Sequence, residues 1–300
     1  MKTRRIFHLK SGFTLVELLV SMAITMIIVT VLVSVTSMAM DTWNRSRSEL
    51  RAARQAKAMV DTMARDFEGL VTRSGNTYEW LSAISKVEDG SSNAADLVFF
   101  TAATDRYNGE IGTAKDLGGD VSCVGYKLAW KDPIAAGGAD NKFKTFVLNR
   151  YLVDPRATFD ELLGKTEIGA LFVTKYDPEF SNVENFVCEN IFQFTVSFHV
   201  EVTNAGVIEN RIVNITRPPG TAKDVEEFRI KGTGIETIPV KDPATDNLKA
   251  GKITAVGISV SVLSDSGITQ LPVKLGKADF DEWLAKNSNQ YSKVVQIPSM

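Results

Sequence analysis

From Phe13 through Glu68 the chain runs 56 residues without a glycine or a proline. Nothing in that stretch stops a helix, so one unbroken helix is expected. Histidine is almost absent too: the 300 residues hold only His8 and His199. There is no HExxH, CxxC, P-loop or GxGxxG pattern, and Gly257-Ile-Ser259-Val-Ser261 puts serine where a nucleophile elbow needs its second glycine. Neither sign of charge dominates, with a formal net charge of −2 and a pI near 5.9. That balance excludes the basic footprint of a nucleic-acid-binding chain. With only two cysteines, at most one internal disulfide can form.

The N-terminus is less balanced. Residues 1–12 carry Lys2, Arg4, Arg5 and Lys10 and no acid, and residues 13–40 are almost wholly apolar. As a helix those 28 residues span about 42 Å, enough for a hydrocarbon core of roughly 30 Å. Beyond Met40 the helical period persists on a polar background. Trp43, Leu50, Ala53, Ala56, Val60, Met63, Phe67 and Leu70 form one apolar stripe, the face of a helix that packs on a globular head. Arg45, Arg47, Arg51, Arg54 and Lys57 read first as a solvated face, with lipid headgroups or acids of a neighbouring subunit as the lesser reading. Counting cations on both sides of the span leaves its orientation open.

One residue does not fit a plain anchor. Glu17 lies inside the apolar run, where an ionised side chain costs roughly 2.5–3.5 kcal/mol on insertion scales. Three readings compete: a membrane anchor, a secretory signal peptide cut after Ser37-Met38-Ala39, and a processed stem. The signal-peptide reading suffers because the apolar region is too long and the stripe runs through the cut. A basic leader, Gly12, Phe13, an acid at the fifth position after the glycine and about twenty apolar residues together resemble the cleavage and methylation motif of type IV prepilins and pseudopilins. The resemblance covers about the first thirty residues. It implies that a prepilin peptidase cuts between Gly12 and Phe13 and methylates Phe13, with residues 1–12 cytoplasmic. A freed amine is cationic at neutral pH, and Glu17 is i+4 to Phe13 on the same helix face. The residues leave open whether Glu17 meets its own amine or a neighbour's; the resemblance implies the neighbour's, docking subunits in register.

Four segments are therefore expected: a leader (1–12), a transmembrane apolar half of the stem (13–40), an amphipathic half (41–71) and a periplasmic head (72–300). In the head, 191–202 alternates Phe192, Phe194, Val196, Phe198, Val200 and Val202 with polar residues, the pattern of a half-buried strand. Strands are also expected over 121–130 and 253–263, and more weakly over 97–102, 143–153 and 171–174. Residues 203–250 read as a long excursion, and ADFDEWLAK, 278–286, as a short closing helix. The fold class is α+β: a long N-terminal transmembrane helix packed on an antiparallel sheet covered on one side. The size of the head and the strands CENIFQFTVSF and AVGISVSVLSD are similar to the larger minor pseudopilins, the J-type of type II secretion and the W-type of type IV pili. Length and layout also resemble the prepilin-like Verru_Chthon cassette protein C group.

The head offers little chemistry. His199 falls on the wet face of its strand. Asp116 and Asp120 are loop acids that could hold calcium, but without EF-hand spacing they read first as solvated carboxylates, and no metal and no cofactor is expected. Cys123 and Cys188 leave two readings open, a disulfide or two separate buried thiols. The functional expectation is a structural subunit without turnover, not an enzyme, whose partners are the peptidase, other pilin-like subunits and the inner membrane. The alternatives are a membrane-anchored periplasmic binding domain, which calls for convergent polar groups in a pocket, and a pilus-tip adhesin, which calls for an exposed aromatic patch.

Overall fold

The computed structural model describes residues 14–88, 91–102, 119–132, 144–216, 224–239, 248–277 and 279–297. They divide into two units, Met1–Leu50 and Arg51–Met300. Helix α1, Leu15–Glu68, contributes to both. It ends at Glu68, close to the expected 71, and Leu70 bridges to Thr101.

In the second unit twelve strands form one hydrogen-bonded network with two arms. The first arm contains β1 (Glu79–Glu88), β2 (Ser91–Thr101), β3 (Ser122–Lys131), β4 (Thr145–Val153), β5 (Phe186–Glu189), β9 (Glu227–Lys231) and β10 (Gly234–Ile238). Their order across the arm is β10-β9-β1-β2-β3-β4-β5, antiparallel throughout. The second arm contains β6 (Ile191–Asn204), β7 (Val207–Ile215), β8 (Asp224–Val225), β11 (Lys252–Leu263) and β12 (Ser288–Gln296). Here β6 lies between β7 and β11, with β12 beyond β11 and β8 beyond β7. The arms meet at a single parallel bridge, Ala94 to Phe194. Besides short helical turns such as Pro155–Ala157, the described residues hold the helices α2 (Ile168–Tyr176), α3 (Asp265–Lys274) and α4 (Phe280–Asn287).

The main core gathers one face of α1 (Ala56, Met59, Val60, Met63, Ala64, Phe67), the inner face of the first arm, and alternate residues of β6 and β11. Phe67 stacks on Phe99 of β2 with ring centroids 4.3 Å apart, and Phe198 of β6 on Phe228 of β9 at 4.1 Å. Those stacks tie the helix to the first arm and the second arm to the first. A smaller core of Trp80, Val98, Phe100, Cys123, Leu162, Ile168, Phe172 and Phe180 lies on the opposite face of the first arm. That arm is therefore covered on both sides, which the one-sided expectation missed. The coverage explains why β3 and β4 open with five and six consecutive buried residues instead of alternating. Gly125 of β3 belongs to this contact, since a Cβ there would meet the Phe172 ring at 2.4 Å.

The three strong strand expectations coincide with β3, β6 and β11, and the weaker ones at 97–102 and 143–153 fall in β2 and β4. Segment 171–174 is corrected: it lies in α2, because a four-residue apolar run does not distinguish a strand from a buried helix. The excursion at 203–250 contains β7 to β10. Its turn residues mark hairpins, with Ala205 and Gly206 at φ 47° and 84° between β6 and β7. The helix near 278–286 is present as α4 but does not close the chain, because β12 follows it and pairs with β11. On the stem stripe, Trp43 and Leu50 are exposed, and the fully buried face begins at Ala56.

Candidate functional site

The first described residues form a helix start. Thr14 Oγ1 accepts a hydrogen bond from the Glu17 N–H at 3.2 Å, while Glu17 Oε2 accepts from the Thr14 N–H and hydroxyl, each at 2.9 Å. This is a reciprocal capping box in which Thr14 precedes Leu15 and Glu17 stands at the third helical position. It satisfies two donors that a helix start otherwise leaves bare, and it places negative charge on the positive end of the helix dipole. The Thr14–Glu17 spacing is itself the signal for such a box, and the sequence reading, occupied with Phe13, passed over it. Gly12 and Phe13 lie outside the described residues.

From Leu15 to Met40 every large apolar side chain is at least half exposed, and four hydroxyls between them, with Thr42 just beyond, bond to carbonyls of the same helix. Ser21 donates to the Leu18 carbonyl, Thr25 to Ser21, Thr30 to Met26, Thr36 to Leu32 and Thr42 to Met38, all at 2.7–2.8 Å. A segment that folds most of its hydroxyls back on its own carbonyls and presents hydrocarbon on every side suits a lipid surrounding. Among the described residues α1 is the one helix long and apolar enough to cross a membrane.

Residues 8–33 match the Prokaryotic N-terminal methylation motif. The match takes in Gly12, Phe13, Thr14 and Glu17, so the capping box stands inside the motif. Among solved structures, a type IV-like pilin from Thermus thermophilus is similar over 83% of this chain and 97% of its own, at 10% identity and a TM-score of 0.32. That likeness is too distant to carry a functional argument. No curated protein sequence matches the chain.

The sequence reading missed a buried polar cluster that fixes the end of the stem to the head. Arg150 of β4 donates to Asp66 of α1 through both Nε (2.7 Å) and Nη2 (2.8 Å), and its Nε lies 3.1 Å from the Tyr126 hydroxyl. Tyr126 of β3 faces Arg150 across the strand pair and also donates to Asp66. Burial, and then the Asp66 carboxylate, hold the Tyr126 phenol well above its ordinary pKa. Burial is the largest single influence on Arg150 and would lower its pKa, but the hydrogen bonds and charges of Asp66 and Tyr126 together outweigh it and the net shift is upward. Two cues existed: Asp66 sits three residues from Met63 beside the apolar stripe, and Arg150 stands with Asn149 inside the otherwise apolar run 146–153.

The remaining candidates are dispersed. Cys123 and Cys188 are free and fully buried. Strand β4 separates β3 from β5, and the two cysteines belong to different cores, so the structure has the second of the two sequence readings. Burial pushes the Cys188 thiol to about 12 and raises Cys123 well above its ordinary value. His199 is half-buried on the polar face of β6, opposite Ile212 and Ala255. Asp120 is exposed, and Asp116 lies outside the described residues. Among the described residues no group of three or more His, Cys, Asp or Glu side chains could hold a metal.

Proposed function

We propose that this chain is a pilin-like structural subunit, made as a precursor and polymerised through α1. The observation that carries the reading is the methylation motif at residues 8–33 standing at the head of an unburied, self-satisfied apolar helix. In this reading residues 1–12 are a cytoplasmic leader, 13–40 cross the bacterial inner membrane, 41–71 are the amphipathic half of the stem, and 72–300 are the periplasmic head. A prepilin peptidase cuts between Gly12 and Phe13 and methylates Phe13. The new amine then needs an anion once water is excluded, and Glu17 is the acid within the apolar run. At about 4 Å and an effective dielectric near 20, such a pair gains up to about 4 kcal/mol before desolvation.

The finer reading is a minor subunit, of the J or W type or of the Verru_Chthon cassette protein C group, in a type II secretion-like or type IV pilus-like filament. A large head and an apolar segment without the helix-kinking proline found in many major pilins support it. Intact-mass and N-terminal analysis of membrane-extracted protein tests the processing. A mature species beginning at methylated Phe13 supports the reading, and one beginning at Met1 or after Ala39 overturns it. Gly12→Ala should leave a longer, uncleaved species. Glu17→Ala should be cleaved normally yet enter filaments poorly, and unchanged incorporation would remove the role given to that carboxylate.

A further inference from the structure

A cleft of about 630 Å³ lies in the second unit, between the segment that follows α1, the start of β1, the residues before β3 and the helical turn after β4. Its apolar lining includes Trp80, Val121 and Phe159, and its charged lining is Arg73, Arg156 and Asp120. Phe159 is 69% exposed and makes no ring contact among the described residues, so its face is open to a guest. The cations are loosely engaged. Arg156 Nε is 3.6 Å from Asp160, with both side chains mostly exposed, and the Arg73 side chain has no hydrogen bond or ion pair among the described residues. The rest of the wall is firm. Asp154 caps the turn at Ala157 N (2.9 Å), Trp80 Nε1 donates to Asn76 at 3.3 Å, and a Cβ on Gly119 would strike Pro155 at 2.4 Å.

We propose that this cleft binds a single carboxylate carried on an apolar body. The carboxylate lies toward Arg73 and Arg156, and the apolar part lies against Trp80, Val121 and Phe159. Guanidinium forks suit carboxylates, and a cleft with a mostly apolar wall and a few charged groups has the make-up of ligand sites of this size. Asp120 leaves one net positive charge among the described lining residues, which favours a monoanion over a dianion. A free apolar acid and the C-terminal residue of a polypeptide share this chemistry.

The test uses the full chain in maltoside micelles, titrated calorimetrically with 3-phenylpropanoate and with a tripeptide ending in phenylalanine, each beside its uncharged amide. Saturable binding of an acid is expected, with the amide about tenfold weaker. Arg156→Gln, which lies in this cleft alone, and Arg73→Gln should each weaken acid binding about tenfold, whereas Lys252→Gln, in a second cleft that Arg73 also lines, should leave it unchanged. Tighter binding of the peptide would assign the site to chain ends, and tighter binding of the free acid to small molecules. The proposal is overturned if acid and amide bind alike, if neither arginine variant changes binding, or if neither acid saturates.

Discussion

The two ends of α1 are stabilised by opposite means. Between Leu15 and Met40 the helix closes its own polar account: a capping box at the start, hydroxyls folded back on carbonyls, and no buried side chain. Between Ala56 and Phe67 the same helix depends on other elements, namely an apolar face packed in the core shared with both arms of the sheet and a carboxylate held by an arginine 84 residues away. The difference follows from the surroundings each end meets. Hydrocarbon offers no hydrogen bonds, so a helix facing it must be complete in itself. A protein core offers partners, but only to groups that match them.

The largest disruption expected is at the buried pair. Asp66→Ala leaves the Arg150 guanidinium buried with only the Tyr126 hydroxyl, and should destabilise the head by about 3–5 kcal/mol in urea unfolding. Loss of both charges, as in Asp66→Leu with Arg150→Met, should recover much of that deficit. An unchanged midpoint in Asp66→Ala would show that the helix end does not depend on this contact. Next comes the apolar end. Ile27→Arg should cost about 2.5–3.5 kcal/mol in membrane insertion, read as the fraction of translocated chain, while the unfolding midpoint of inserted protein stays put. Equal damage to both readouts would erase the contrast between the two ends.

A smaller effect belongs to Glu79, buried in the head, where burial raises the carboxyl pKa against the hydrogen bond from Gly169 N (3.3 Å) and the charge of Arg229 (3.7 Å). The folded state then holds its proton to a higher pH than the unfolded chain. The contribution of this residue is greatest below the ordinary carboxylate range and falls as pH rises through the raised value. Glu79→Gln should therefore gain on the parent when unfolding is compared at pH 4 and pH 7, and a constant difference would contradict the raised value. The smallest effect is expected at the helix start. Thr14→Ala removes one half of the capping box, about 0.5–2 kcal/mol of local helix stability. Fraying of the first turn should appear as faster amide exchange at residues 15–18, with the head untouched.

How far the sequence could be read follows the same division. The apolar stem, its acid and the alternating strands β6 and β11 were legible because each is a local pattern: a composition, a spacing, a period of two. The two-sided burial of the first arm was not. It depends on α2 and the helical turns after β4 reaching a face that the periodicity of β3 alone describes poorly. The Asp66–Tyr126–Arg150 cluster combines residues from three elements, and no local window contains it. Strand β12 went unread because Ser288, Asn289 and Gln290 carry a weak strand propensity, overridden by nine paired positions along β11.

The placement of the two sulfurs has a consequence for where this head can mature. Cys123 and Cys188 are sealed in separate cores, and neither titrates near neutral pH. Neither thiol can reach the other or a thiol on another molecule without unfolding, so reducing and oxidising compartments should produce the same folded head. A chain built this way needs no oxidase on the far side of a membrane to finish it.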